Sequence, residues 1–276
     1  MNEKQRSEYW LKVERLRRRL DNKYAELIYG VLDREVRQFA RKVETEGPEA
    51  ARSSIAALAW DDKLYSVMRE MYKESAVVFG NAGYRAVGVD SRKAYDPFEI
   101  NTELLAAILA YLVQWGFYLV ALMTQTTKKR LQEVVTIGVA NGLSKAEIAK
   151  LIISEDISEY IRMRAVRIAR TEVMRSSNYA IFVGAGKHSF EVDKVWVSVR
   201  DARTRRIPKN FYDHFDMDGQ TRRYDEMFIS TDRLGRVFEA MMPGDPTTPK
   251  AFTINCRCTL LFVPRRDANG KLILKR

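Results

Sequence analysis

Twenty consecutive residues, Leu104 to Met123 (LLAAILAYLVQWGFYLVALM), carry no charge, and the uncharged run extends to Thr127 before Lys128-Lys129-Arg130. As a helix, such a segment is long enough to cross a hydrocarbon layer about 30 Å thick. Its interior argues for another use. Gln114, Gly116 and three aromatic residues crowd the middle, whereas interfacial aromatics belong near the ends of a span. A single span would also separate two charged halves across a membrane. The start of the chain, MNEKQRSEYWLKVERLRRRL, has no apolar core of signal-peptide length, so Sec export is not expected. The preferred reading is a central helix buried on all sides, inside the fold or in an oligomer. A membrane-interacting helix is the lesser alternative.

The surrounding first half reads as helix. From about Ser7 to Glu46, Tyr9, Val13, Leu16, Leu20, Tyr24, Leu27 and Val31 recur at steps of three and four, and Leu32, Val36, Phe39 and Val43 continue the stripe with drift. Gly47-Pro48 ends it, because proline lacks an amide donor and restrains the residue before it. About forty residues is long for a globular helix. The stripe is therefore expected to dock on another chain or along a bundle, and residues 1–46 to be dispensable for the C-terminal fold. Arg17-Arg18-Arg19 is read as a solvated face. A second helix fits about Glu49 to Phe79, with Gly80-Asn81-Ala82-Gly83 as its breaker and Gly88 to Pro97 as loop. Asn141-Gly142 marks a turn. Ser144 with Glu147 has the spacing of a capping box before Ile148, Leu151 and Ile152. The run TIGVANGLSKAEIAKLI has the rhythm of a helix-turn-helix, but no clear recognition helix follows.

Residues 157–182 form the best-defined helix of the second half. At 100° per residue, Ile161, Ala165, Ile168 and Ala169 share an arc with Glu172 and Ser176, while Arg162, Arg164, Arg167, Arg170 and Arg175 spread over the rest. A carboxylate on an apolar face needs a cation. The expected partner of Glu172 is one of Arg200, Arg203, Arg205 and Arg206, in a structural ion pair rather than a catalytic one.

After Gly184-Ala185-Gly186 the period becomes strand-like. Strands fit Val192 to Val199, Met227 to Thr231, Arg236 to Met241, Cys258 to Val263 and Lys271 to Leu274, with turn signals between them. Helices followed by mainly antiparallel strands is α+β organisation. A polar series runs through these strands: Trp196, Asp201, Arg203, Arg205, His214, Asp218-Gly219-Gln220, Pro243-Gly244-Asp245-Pro246 and Asn255-Cys256-Arg257-Cys258. His214, Cys256 and Cys258 are zinc-ligand types, but CxC is shorter than the usual CxxC and no second cysteine pair exists. The preferred reading is two partly buried thiols and no metal. A Cys–His nucleophile has no local signature, no nucleotide-binding motif is present, and no cofactor is expected. Two cysteines cannot form a disulfide framework.

The formal net charge is +11, of which residues 151–276 carry +7. Such an excess fits contact with a polyanion or an acidic surface. No element reads bases, so DNA-binding residues are not singled out.

Taken in order, Ala169-Arg170-Thr171-Glu172, Asn178, Trp196, Asp201, Arg203-Thr204-Arg205, His214, Asp218-Gly219-Gln220, Pro243-Gly244-Asp245-Pro246 and Ile254-Asn255-Cys256-Arg257-Cys258 resemble the phage Mu F-like minor head protein family, the phage head morphogenesis domain. The resemblance covers about residues 140–264. It implies two regions, a helical docking region at 1–140 and the head morphogenesis domain at 141–276. It also implies a minor head protein of a tailed phage, inside the capsid near the portal vertex, acting in assembly and in genome packaging or delivery. The implied partners are the portal protein, capsid or scaffold proteins and double-stranded DNA bound without sequence preference, with the chain itself in an oligomer. A relation to the ADP-ribosyltransferase fold is implied as well. Arg170 and Glu172 lie on one helix, however, whereas a catalytic glutamate of that fold sits on a strand, so an enzyme (transferase or metal-dependent nuclease) is the alternative.

Overall fold

The computed structural model describes residues 2–55, 60–87 and 97–275. Helical and strand periods segregate along the chain into an α+β protein. The helices are α1 (Glu3–Glu46), α2 (Pro48–Ser54), α3 (Trp60–Ala86), α4 (Pro97–Ala140), α5 (Lys145–Ile152) and α6 (Glu155–Ala185). After them come β1 (Val192–Val197), β2 (Thr221–Arg223), β3 (Phe228–Thr231), β4 (Val237–Ala240), the single turn α7 (Lys250–Thr253) and β5 (Thr259–Pro264). The loop expected from Gly88 lies outside the described residues up to position 96. The strand expected near Lys271 is reduced to isolated bridges, Arg266 with Leu272 and Phe190 with Leu274. The short, polar β2 is an addition to the expected strands, since Thr-Arg-Arg has no apolar alternation to mark it.

The chain divides into two compact units that do not follow chain order. One comprises Met1–Leu20, Glu70–Tyr111 and Arg170–Arg276; the other comprises Asp21–Arg69 and Leu112–Ala169.

In the first unit, a three-stranded antiparallel sheet has the order β2-β1-β5, and β3 and β4 form a separate hairpin. Val195 faces Leu261 and Val197 faces Thr259 in the β1–β5 register. Trp10 of α1 packs on Val195, Val197 and Leu261, and its indole N–H donates to the Arg257 carbonyl at 2.7 Å. The start of α1 is thus part of this unit's core. The expectation that residues 1–46 are dispensable for the C-terminal fold is corrected: removing them strips a wall from the sheet.

Gly80 and Gly83 do not break α3. They allow close approach instead. A Cβ on Gly83 would stand 2.6 Å from the Ile181 carbonyl oxygen, and one on Gly184 would stand 2.1 Å from that of Gly80. With side chains missing on both helices, α3 and α6 pack backbone to backbone. A glycine inside a helix signals either a break or a contact, and only the partner helix decides which.

In the second unit the later residues of α1 are covered by the chain's own apolar groups. Tyr24, Ile28, Leu32, Val36, Phe39 and Val43 are all buried, so the stripe needs no second chain to cover it. The capping box at α5 forms as expected. Ser144 Oγ accepts from the Glu147 amide at 3.3 Å, and the Glu147 carboxylate accepts from the Ser144 amide at 2.8 Å. Gly116 makes room for Tyr65, which stacks on Phe117 at 4.5 Å.

Helix α4 departs from expectation. From Thr102 to Ala140 it is long and apolar enough to cross a membrane, yet less than half of its most apolar stretch is buried. It is not buried on all sides: Val113 is 78% exposed and Phe117 59% exposed. A run without charges holds no record of which face the fold covers.

Candidate functional site

From Arg170 onward the family-type residues fall within the first unit, and α6 carries the first of them inward. Glu172 is buried, as its position on the apolar arc predicts. Its partner is not an arginine of the 200–206 segment. It pairs with Arg175, one turn along the same helix, and accepts from the Tyr72 hydroxyl at 2.9 Å. Arg175 Nε donates to the Gly244 carbonyl at 2.7 Å, so the arginine expected on an outer face is buried too. Burial disfavours the Arg175 charge, but Glu172 beside it more than offsets this and raises the pKa. Burial also lifts the Tyr72 phenol well above its ordinary value, and the Glu172 charge adds to the lift. Gly244 takes a positive φ of 87° directly against the Arg175 backbone, and Asp245 closes the turn by accepting from the amides of Met241 and Thr247 at 2.8 and 2.9 Å. Arg170 lies outside this cluster. It is exposed and reaches Asn255 Oδ1 at 3.4 Å.

Asn178 joins α6 to β5. Its amide nitrogen donates to the carbonyls of Pro243 and Cys258 at 3.1 and 3.2 Å, and its oxygen accepts from the Leu260 amide at 3.2 Å. Arg17 of α1 converges on the same point, donating to Asn178 Oδ1 at 2.9 Å, Ser177 Oγ at 2.7 Å and the Cys258 carbonyl at 3.1 Å. Arg17 is therefore a buried linchpin, not part of a solvated face. Its signal was present in the sequence, since position 17 lies one residue from the Val13, Leu16, Leu20 stripe. The flanking Arg18 and Arg19 disguised it.

At the sheet end, Asp201 is clamped by both guanidinium nitrogens of Arg257 and accepts from the Arg203 amide at 3.0 Å. The Arg257 hydrogen bonds hold its carboxyl far below the usual carboxylate range. The Arg203 side chain is exposed. Arg205 turns inward and donates to the carbonyls of Phe252 and Ile254. Asp218, 1% exposed, accepts from Arg6 at 2.8 Å and from the Ser198 amide at 2.8 Å. Gly219, at φ 82°, sends its amide to the Trp196 carbonyl at 2.8 Å. These contacts set the β1–β2 edge and bind α1 to it.

His214, Cys256 and Cys258 come together and are fully buried. His214 Nδ1 lies 3.3 Å from Cys258 Sγ and 3.4 Å from Cys256 Sγ. The thiols were expected to be partly buried, and the structure seals them. Burial by itself would raise the Cys256 thiol. The hydrogen bond from Cys258 and the charge that His214 can carry instead hold it well below the ordinary thiol range. Cys258, buried and hydrogen-bonded to Cys256, is pushed well above that range. A cavity of about 190 Å³ adjoins the trio, lined in part by Thr204, Asn210 and Asn255.

Many of the polar groups in this unit hold elements together: α1, α6 and β5 meet at Arg17 and Asn178, and the Glu172 and Asp218 carboxylates are each held by an arginine and a further donor. Fold and site thus define an α+β protein with a structurally braced polar centre. The family model described as phage Mu protein F like protein matches residues 129–261. This segment, just under half of the chain, is a phage Mu F-like domain, and such a domain marks a virion-associated phage head morphogenesis protein. No curated protein and no solved structure matches the chain significantly. The relation to the ADP-ribosyltransferase fold gains no support: Arg170 and Glu172 share α6, and Glu172 is locked in its ion pair.

Proposed function

We propose that the chain is a non-enzymatic minor head protein that assembles at the portal vertex, inside the capsid, and serves genome packaging or delivery, reaching the head from the host cytoplasm. The observation that carries this reading is the family match over 129–261, which spans every residue of the polar centre from Arg170 to Cys258. Two surfaces suit the role. Arg200, Arg206 and Lys209 line a shallow concavity, with the Arg200 and Arg206 guanidinium groups 4.0 and 4.2 Å from the Phe215 ring centroid. Preset cations of this kind suit phosphate contact without base reading. The exposed apolar face of α4 around Val113 and Phe117 suits a protein neighbour, the portal, a capsid or scaffold protein or another copy.

Affinity purification from infected cells should recover the chain with a portal oligomer; its consistent recovery without portal or capsid protein would reject the assignment. Binding to duplex DNA should weaken steeply between about 50 and 200 mM salt and show little sequence preference. The same α4 face supports one second reading, contact with a membrane during delivery. Flotation with liposomes separates the two, since a head protein stays at the bottom of the gradient.

A further inference from the structure

We propose that His214, Cys256 and Cys258 bind one thiophilic divalent cation, zinc by preference, with a coordination position left open to the adjoining cavity. The three donor atoms lie within 4.8 Å of one another. A tetrahedral zinc with bonds of about 2.3 Å to sulfur and about 2.0–2.1 Å to nitrogen separates a nitrogen and a sulfur ligand by about 3.5 Å. The observed separations from Nδ1, 3.3 and 3.4 Å, are close to this value. Both sulfurs converge on one ring nitrogen, which holds a single proton or a single lone pair and cannot serve two thiols. A cation between them satisfies all three groups.

The surroundings are those of thiolate ligands. The Cys258 amide donates to Cys256 Sγ at 3.3 Å. Two further donors, Trp196 Nε1 and Ser198 Oγ, are buried with no hydrogen-bond partner among the described residues, and Ser198 lines the same cavity as the two cysteines. Outer donors of this kind orient sulfur ligands and balance their charge. Two thiolates neutralise a divalent ion, so the centre can sit beside Arg205 without a net charge. Arg205 Nη1 stands 3.4 Å from His214 Nε2, but its firm hydrogen bond goes to the Phe252 carbonyl at 2.7 Å, leaving Nε2 able to keep the ring proton while Nδ1 binds metal.

The ligands are held on fixed elements. The His214 amide is tied to the Arg205 carbonyl at 2.9 Å, its ring packs on Phe252 at 4.4 Å, and the cysteines lie at the entry to β5. The cavity lining supplies no further cysteine, histidine or carboxylate. Three protein ligands plus an open position distinguish such a centre from closed four-ligand structural sites. Soft sulfur and imidazole donors select zinc over magnesium or calcium. The proposal is independent of what the chain contacts in the head.

The full chain, reduced and stripped with chelator, is titrated with cobalt(II) and then with zinc. The expected result is a thiolate-to-cobalt charge-transfer band saturating at one ion per chain and abolished by zinc, with close to one zinc retained after dialysis. Cys256→Ser and Cys258→Ser should each remove the band, whereas His188→Gln should keep it, with circular dichroism reporting that each variant is folded. The wild-type titration needs no variant. Absence of a charge-transfer band in the reduced wild-type chain would overturn the proposal, as would a band that survives in a folded Cys256→Ser/Cys258→Ser double variant.

Discussion

The two compact units hold themselves together by different means. In the first, buried polar groups do much of the joining: Glu172 with Arg175 and Tyr72, Arg17 with Asn178, Asp218 with Arg6. In the second, helices close over aliphatic and aromatic side chains, and much of the polar chemistry sits at the surface, as at the Ser144 cap. Two glutamates make the contrast plain. Glu147 caps a helix in water, whereas Glu172 is sealed in the interior of its unit. A polar bond in the dry unit is directional and expensive to lose, while a packed apolar surface tolerates small changes. The family-type residues lie where tolerance is lowest, which fits a centre whose first task is to hold a fixed shape.

The comparison breaks most sharply at Glu172. Glu172→Gln keeps the shape, removes the charge and strands Arg175 in the interior. The expected cost is about 3–5 kcal/mol, seen as a fall in melting temperature of about ten degrees or more. An unchanged melting temperature would show that the polar centre does not carry this unit. Next comes Gly184→Ala, where the new methyl meets the Gly80 carbonyl and α3 and α6 must part; overpacking of this kind costs about 1–3 kcal/mol and is read by urea unfolding. In the second unit, Ser144→Ala should cost about 1 kcal/mol, the ordinary value of a lost cap.

Asp201 gives a smaller, pH-dependent effect. Its carboxyl is held below the ordinary value, so its contribution is present above the unfolded pKa near 4 and is lost as pH falls toward the folded one. Melting curves of Asp201→Asn should therefore fall less steeply on acidification below about pH 4 than those of wild type; parallel acid limbs would count against the Arg257 clamp. The smallest effect on stability is expected at Val113→Ser, within about 0.5 kcal/mol, although incorporation into heads should drop. Normal incorporation would remove the α4 face from the docking surfaces.

The amino-acid sequence by itself determined the helical first half, the change of period near residue 186, the α5 cap and the burial of Glu172. Each of these depends on local spacing, which is written along the chain. The ordered series from Arg170 to Cys258 was equally legible as a family resemblance. Tertiary structure alone decided the partners. Spacing placed Glu172 inside but could not show that Arg175, assigned to an outer face, would turn inward to meet Tyr72 and Gly244. Nor could it show that Gly80 and Gly184 mark a contact, or that Arg17, inside a run of three arginines, reaches Asn178 and Thr259 of β5 more than 160 positions away. Periodicity reports which face of an element is apolar. Which groups meet across 42 or 44 residues, as His214 does with Cys256 and Cys258, is set by how the elements pack, and no local pattern encodes that.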